Sequence, residues 1–219
     1  TDNGRPIFYA TDNDDAGATI NTDKVYPGGV GGYSLTGNGI NIGEWDGGEV
    51  RGTHFELVNR VTQVDAPSSL SNHATHVAGT MIATGLNPQV KGMAYQANIS
   101  AYDFFSDEPE MAAYAQGANT ILSNHSYGTI TGWYYSSSQG MYQFWGDTAL
   151  SQNEDYRFGF YSFGASVWDT IAYAAPNYLI VKSAGNDRND AGPTPGDTHQ
   201  VWSNVLNTWV TSTAIRAVD

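Results

Sequence analysis

The chain has 219 residues and a formal net charge of −13, with only nine Lys and Arg. So few cations exclude a phosphate-backbone partner, and no apolar run approaches the roughly 18 residues that a membrane-spanning helix needs. With no cysteine, the fold owes nothing to disulfides, cysteine catalysis or thiolate metal sites.

The length suits one domain with a sizeable core. Residues 1–39 are polar and Gly-rich. Asp12-Asn13-Asp14-Asp15 reads as a solvated acidic loop. A structural calcium is compatible with that cluster but not assignable, because the spacing matches no EF-hand loop. Pro27-Gly28-Gly29 and Gly31-Gly32 read as turns, and Thr36-Gly37-Asn38-Gly39 as the turn into the first core strand.

That strand is predicted over 40–45 and ends at Asp46-Gly47-Gly48. A carboxylate there sits where open α/β sheets place functional groups, although an Asp before Gly also simply forms turns. A short strand follows over 60–64, with His54 before it as ordinary surface. Small and apolar residues after His73 predict a helix to about Ala83, with Asn72 as its cap. The next strand covers 99–105. A helix over 110–118 carries Met111, Tyr114, Ala115 and Ala118 on one face. A strand over 120–124 leads to Ser126-Tyr127-Gly128.

Residues 129–162 are rich in Trp, Tyr, Ser and Gly. They read as an inserted surface hairpin or helix with a satellite core, or as an aromatic wall for a peptide side chain. Val167, Trp168, Ile171 and Ala175 recur at helical spacing until Pro176 stops the helix. A buried strand is predicted over 178–181 and another strand over 207–213. The alternation of strand and helix predicts an α/β fold, a parallel sheet with helices on both faces.

His73 and His76 raise the question of a metal. A zincin helix carries histidines at i and i+4 with a Glu between them. Here the spacing is i, i+3, Ala74 and Thr75 intervene, and no third ligand stands out. Metal ligands are therefore left unknown, and His76 is expected to pack inside the helix face with a hydrogen bond to backbone.

Four blocks occur in a telling order: Ile42-Gly43-Glu44-Trp45-Asp46-Gly47-Gly48, Ser71-Asn72-His73-Ala74-Thr75-His76-Val77-Ala78-Gly79-Thr80, Asn124-His125-Ser126-Tyr127-Gly128 and Lys182-Ser183-Ala184-Gly185-Asn186-Asp187. Together they resemble the aspartate, histidine, substrate-binding and oxyanion blocks of the subtilisin-like serine proteases, peptidase family S8. Ala74 stands where the family usually has Gly. The resemblance implies a three-layer α/β/α fold, incomplete at its C-terminal end. Residues 1–39 would be an N-terminal extension packed on a catalytic domain over 40–219, its N-terminal two-thirds.

The same resemblance implies an endopeptidase with an Asp-His-Ser triad. Asp46, His73 and Asn186 would be catalytic. Ser126, Tyr127, Gly128, Ser183, Ala184 and Gly185 would bind substrate. The family's Gly-Thr-Ser block does not occur in these 219 residues. The nucleophile is therefore expected past Asp219, from the C-terminal remainder of the same protein or from another chain, and the chain alone is expected to be inactive. The alternative is a catalytically inactive pseudo-protease or peptide-binding module on the same fold. No cofactor for catalysis is implied. Partners would be a peptide or protein substrate, not nucleic acid or membrane, and the location secreted or extracellular.

Overall fold

The structure is a computed structural model that describes residues 13–151, 154–186 and 191–214. In chain order its elements are α1 (Asn13–Thr19), α2 (Thr22–Val25), β1 (Asn41–Asp46), β2 (Val61–Gln63), α3 (Asn72–Ile82), β3 (Asn98–Asp103), α4 (Asp107–Tyr114), β4 (Leu122–His125), β5 (Trp133–Ser136), β6 (Met141–Phe144), α5 (Phe163–Ala174), β7 (Leu179–Lys182), β8 (His199–Ser203) and β9 (Thr208–Ser212). They divide into two compact units. One holds the residues up to Tyr127 together with Val167–Ser183, and the other holds Gly128–Ser166 and the residues from Ala184 onward.

The first unit is built on a five-stranded sheet, counted among the described residues, in the order β2-β3-β1-β4-β7. Every neighbouring pair runs parallel. β1 lies in the middle, and its side chains alternate between the two faces. Ile42 joins Ala74, Ala78 and Ile82 of α3 and Ile99 and Ala101 of β3 in one apolar cluster. Trp45 joins Met111 and Tyr114 of α4 and Ile171 of α5 in another. With α3 on one face and α4 and α5 on the other, the unit is a three-layer α/β/α sandwich. Parallel strands bring all their carboxyl ends to one edge, and Asp46 ends β1 there.

Several expectations are corrected. The acidic stretch read as a loop is the start of α1 from Asn13 on; Asp12 lies outside the described residues. Asp14 and Asp15 occupy its first turn, where carboxylates complement the positive end of a helix dipole. Among the described residues, no group of three or more His, Cys, Asp or Glu is arranged to hold a metal ion. The cap of α3 is Ser71, not Asn72: Ser71 Oγ accepts the Ala74 N–H at 3.1 Å. α4 starts at Asp107 and ends at Tyr114, earlier than the apolar spacing suggested. β7 is not buried. It is the last strand of the sheet among the described residues, and Leu179 and Val181 are 62% and 44% exposed.

The second unit carries the aromatic-rich segment as a hairpin, β5–β6, within a sheet ordered β5-β6-β8-β9. β6 and β8 pair in parallel, while β5–β6 and β8–β9 pair antiparallel. Strand β8 was not legible in His199-Gln200-Val201-Trp202-Ser203. Phe144 and Val201 are buried here, with Trp133 5.0 Å from both the Phe144 and His199 rings. Asp155 is buried too. Burial by itself would raise its carboxyl. The Arg157 guanidinium, with backbone N–H groups of Gly132 and Arg157, overcomes that and holds it below the usual carboxylate range.

Candidate active site

Two segments far apart in sequence meet at the carboxyl end of β1. After Asp46 the chain turns sharply. Gly48 takes a φ of 103°, and a Cβ there would stand 2.9 Å from the Ser69 carbonyl oxygen, so only glycine fits. The next residue pairs with the stretch that precedes α3. Glu49 N–H donates to the Ser69 carbonyl at 2.9 Å, and Ser71 N–H donates to the Glu49 carbonyl at 2.8 Å. Ser71 then caps α3, and Arg51 N–H donates to Thr75 Oγ1 at 3.0 Å. On the buried side, Ala74, Ala78 and Ile82 press the helix onto the sheet at i, i+4, i+8 spacing. The start of α3 is thereby fixed beside Asp46 from the loop and from the core.

His73 lies in the first turn of that helix. Its Nδ1 is 2.8 Å from both Oδ1 and Oδ2 of Asp46. The Asp46 side chain is 4% exposed and the His73 side chain 60%. A second donor, the Gly47 N–H, holds Asp46 Oδ1 at 2.7 Å. A carboxylate can only accept, so Nδ1 carries the hydrogen, and in the neutral ring the lone pair lies on Nε2. Among the described residues Nε2 makes no hydrogen bond. The pair is an oriented imidazole whose free nitrogen is open to a substrate or a nucleophile.

The other expected residues are distributed as follows. Ser126 Oγ accepts from the Asn124 side-chain amide at 2.9 Å. Ser183 Oγ donates to the Tyr127 carbonyl at 3.4 Å. The Tyr127 phenol is taken up inside the first unit, donating to Asp107 Oδ2 at 2.5 Å. Gly128 is exposed, as are Ser183, Ala184, Gly185 and Asn186. Gly185 has a φ of 92°. Ala184, Gly185 and Asn186 belong to the second unit, as Gly128 does. His76 is exposed instead of packed inside the helix face; its backbone carbonyl accepts from Thr80 Oγ1 at 3.1 Å, and its ring makes no hydrogen bond among the described residues.

Sequence reasoning missed a polar chain on the far face of β4. Ser123, His125 and Tyr127 alternate and so point the same way. The Tyr178 hydroxyl donates to Ser123 Oγ at 2.5 Å. Ser123 Oγ and His125 Nε2 are 2.8 Å apart, and His125 Nδ1 and the Tyr127 hydroxyl 3.0 Å. Since Tyr127 gives its hydrogen to Asp107, it accepts from Nδ1–H, and Nε2 must accept from Ser123. His125 is fully buried and stacks on Trp45 at 5.0 Å. Burial, with the Lys182 charge added, pushes its pKa down to about 3. A second omission is Glu44, two residues before Asp46 on the same face of β1. It is fully buried, and neither carboxyl oxygen has a hydrogen-bond partner among the described residues. Burial, then the Asp46 charge, holds its pKa well above the usual value.

The family model for subtilases, Peptidase S8, matches residues 18–216. The chain belongs to the subtilase family, a family of serine peptidases. No curated protein matches the chain.

Proposed function

We propose that this chain supplies the aspartate, the histidine and the oxyanion donor of a serine endopeptidase, and that the serine comes from outside its 219 residues. The observation that carries the reading is the Asp46–His73 pair, 2.8 Å apart through Nδ1, with Nε2 unbonded among the described residues. A serine hydroxyl is a weak nucleophile until a base takes its proton. His73 Nε2 takes it as the hydroxyl attacks the scissile carbonyl, and Asp46 stabilises the imidazolium that forms. The same proton then passes to the leaving amine. Asn186 donates its side-chain amide to the oxyanion. The backbones of Ser126-Tyr127-Gly128 and Ser183-Ala184-Gly185 hold an extended peptide by strand addition.

The serines near these blocks are committed elsewhere: Ser71 caps α3, while Ser126 and Ser183 hold local hydrogen bonds. That favours a nucleophile from the C-terminal remainder of the protein or from a separate chain. The exposed apolar residues of β7, Leu179 and Val181, favour the same view, because a partner would cover them. A secreted or extracellular location goes with this reading, and no catalytic cofactor does. The reading predicts that the pure 219-residue chain turns over no chromogenic peptide at an ordinary enzyme rate, about 1 s⁻¹ or more. Activity that survives repurification would overturn the external serine and point to a nucleophile within the chain.

A further inference from the structure

The second unit contains a pocket of about 370 Å³ that the peptidase chemistry does not use. That volume lies within the range of small-molecule sites, about 300–1,000 Å³. Its wall is a row of three indoles. Trp209 stands in the middle, 5.2 Å from Trp145 and 5.6 Å from Trp202, each edge to face. Trp145 and Trp202 are 38% and 37% exposed. Neighbouring rings this close touch one another, so they form a continuous apolar surface and leave no gap between them for a guest.

Polar groups of both kinds line the same pocket. Asp147 Oδ1 accepts from the Ala149 N–H at 2.8 Å and from the Asn204 amide at 3.2 Å. Among the described residues its Oδ2 is unused, as are the Asn204 Oδ1 and the second Asn204 N–H. Arg157 spends Nε and Nη2 on Asp155 and the Trp145 carbonyl, which leaves its Nη1 hydrogens. The Arg157–Asp155 pair is neutral as a unit, so Asp147 leaves the pocket with a single net negative charge.

This inventory selects the ligand class. A simple cation would use the carboxylate and the indole faces but leave the Arg157 and Asn204 donors idle. An anion would meet Asp147. A purely apolar side chain would use the indoles and none of these polar groups. Adjacent hydroxyls on an apolar ring edge are the fit, because each hydroxyl both donates and accepts while the C–H face lies on an indole. We propose that this pocket is a carbohydrate-binding site for a neutral pyranose, one that recognises sugar independently of peptide hydrolysis.

The experiment is a titration of the full chain with D-glucose, D-galactose, D-mannose, N-acetyl-D-glucosamine, maltose and cellobiose, with choline as the cation probe. Tryptophan fluorescence and calorimetry are the readouts. At least one sugar is expected to bind saturably, with a Kd of about 1 mM or tighter. Trp202→Phe and Asn204→Ala should each weaken it by about tenfold, equivalent to about 1.4 kcal/mol, with near-ultraviolet circular dichroism unchanged. If Trp202→Phe disturbs the fold, Asn204→Ala, at an exposed position, carries the test. The proposal is overturned if no sugar saturates, if choline binds and the sugars do not, or if sugar binding ignores both substitutions.

Discussion

Two of the first unit's four histidines stand in opposite circumstances. His73 sits at the carboxyl edge of the sheet, with one nitrogen on a carboxylate and the other open. His125 sits on the middle of a sheet face, under Trp45, with both nitrogens engaged by neutral hydroxyls. A base needs a free lone pair and a charged form that its surroundings tolerate. The first position offers both and the second offers neither. The carboxylate partner orients one ring, and exposure decides whether anything can reach it.

The largest effect should come from breaking the open pair. In the complete enzyme, His73→Ala should lower kcat on the order of 10⁶-fold, a magnitude that comes from subtilisin, itself a subtilase, and not from this chain. Steady-state kinetics on variants confirmed as folded would read it. His125 should behave in the reverse way. His125→Phe keeps a ring against Trp45 but strands the Ser123 and Tyr127 hydroxyls, and should cost roughly 2–4 kcal/mol of stability at pH 7. The kcat of the folded fraction should hardly change. The sign of the pH effect follows from the lowered pKa. Between about 6.5 and about 3 the unfolded chain binds a proton that the native chain refuses, so stability falls as pH falls through that window. His125→Phe should abolish this slope in urea melts run at pH 7 and pH 4. An equal slope in both proteins would refute the buried neutral imidazole.

How far the sequence reveals this contrast depends on what each feature rests on. β1, α3 and the parallel sheet were legible because local pattern and fold agree: apolar alternation, small residues along one helix face and strand-helix alternation. Asp46 and His73 were legible as blocks, and their meeting followed from parallel strand ends. His125 was not, because its role comes from Trp45, Tyr178 and Asp107, which only the tertiary fold assembles. Ser126-Tyr127-Gly128 read as one binding block, yet strand alternation sends the Tyr127 ring inward with His125. α1 was lost because Asp and Gly signal loops as well as helix starts. β8 was lost because its residues do not alternate: His199 and Gln200 are both polar and Val201 and Trp202 both apolar, so no period of two shows in the sequence. The buried character expected of β7 failed because apolar residues on an edge strand look the same as those on a central one.

Glu44 gives a smaller effect, and it sharpens the comparison from the acid side. It shares a strand face with Asp46, yet Asp46 has His73 and the Gly47 N–H while Glu44 has no partner among the described residues. Its raised pKa means the native chain keeps a proton that the unfolded chain has already lost. Stability therefore falls as pH rises from about 4.5 towards the raised value, opposite in sign to the His125 slope. Glu44→Met, similar in volume and apolar, should stabilise by roughly 1–3 kcal/mol at pH 8 and by less at pH 5. Denaturant melts at the two pH values check it. A gain independent of pH would mean that Glu44 is not held protonated.

The smallest effect belongs to His76, three residues from His73 on the same helix. One residue turns an α-helix by about 100°, so His76 points about 200° away from Ala74, to the side opposite the buried face. That is why it is exposed and why the expectation of an inward-packed ring fails. It lines an open groove of about 780 Å³ beside α3, with His54, Phe55, Asn72 and Thr75. In the isolated chain, His76→Ala should change stability by less than about 0.5 kcal/mol, as for surface substitutions generally. In the complete enzyme it should leave the pH dependence of kcat, set by His73, where it was. A larger stability loss in the complete enzyme than in the isolated chain would favour this groove as a seat for the serine-bearing segment proposed above. Equal losses in kcat for His76→Ala and His73→Ala would refute the assignment of His73 as the base.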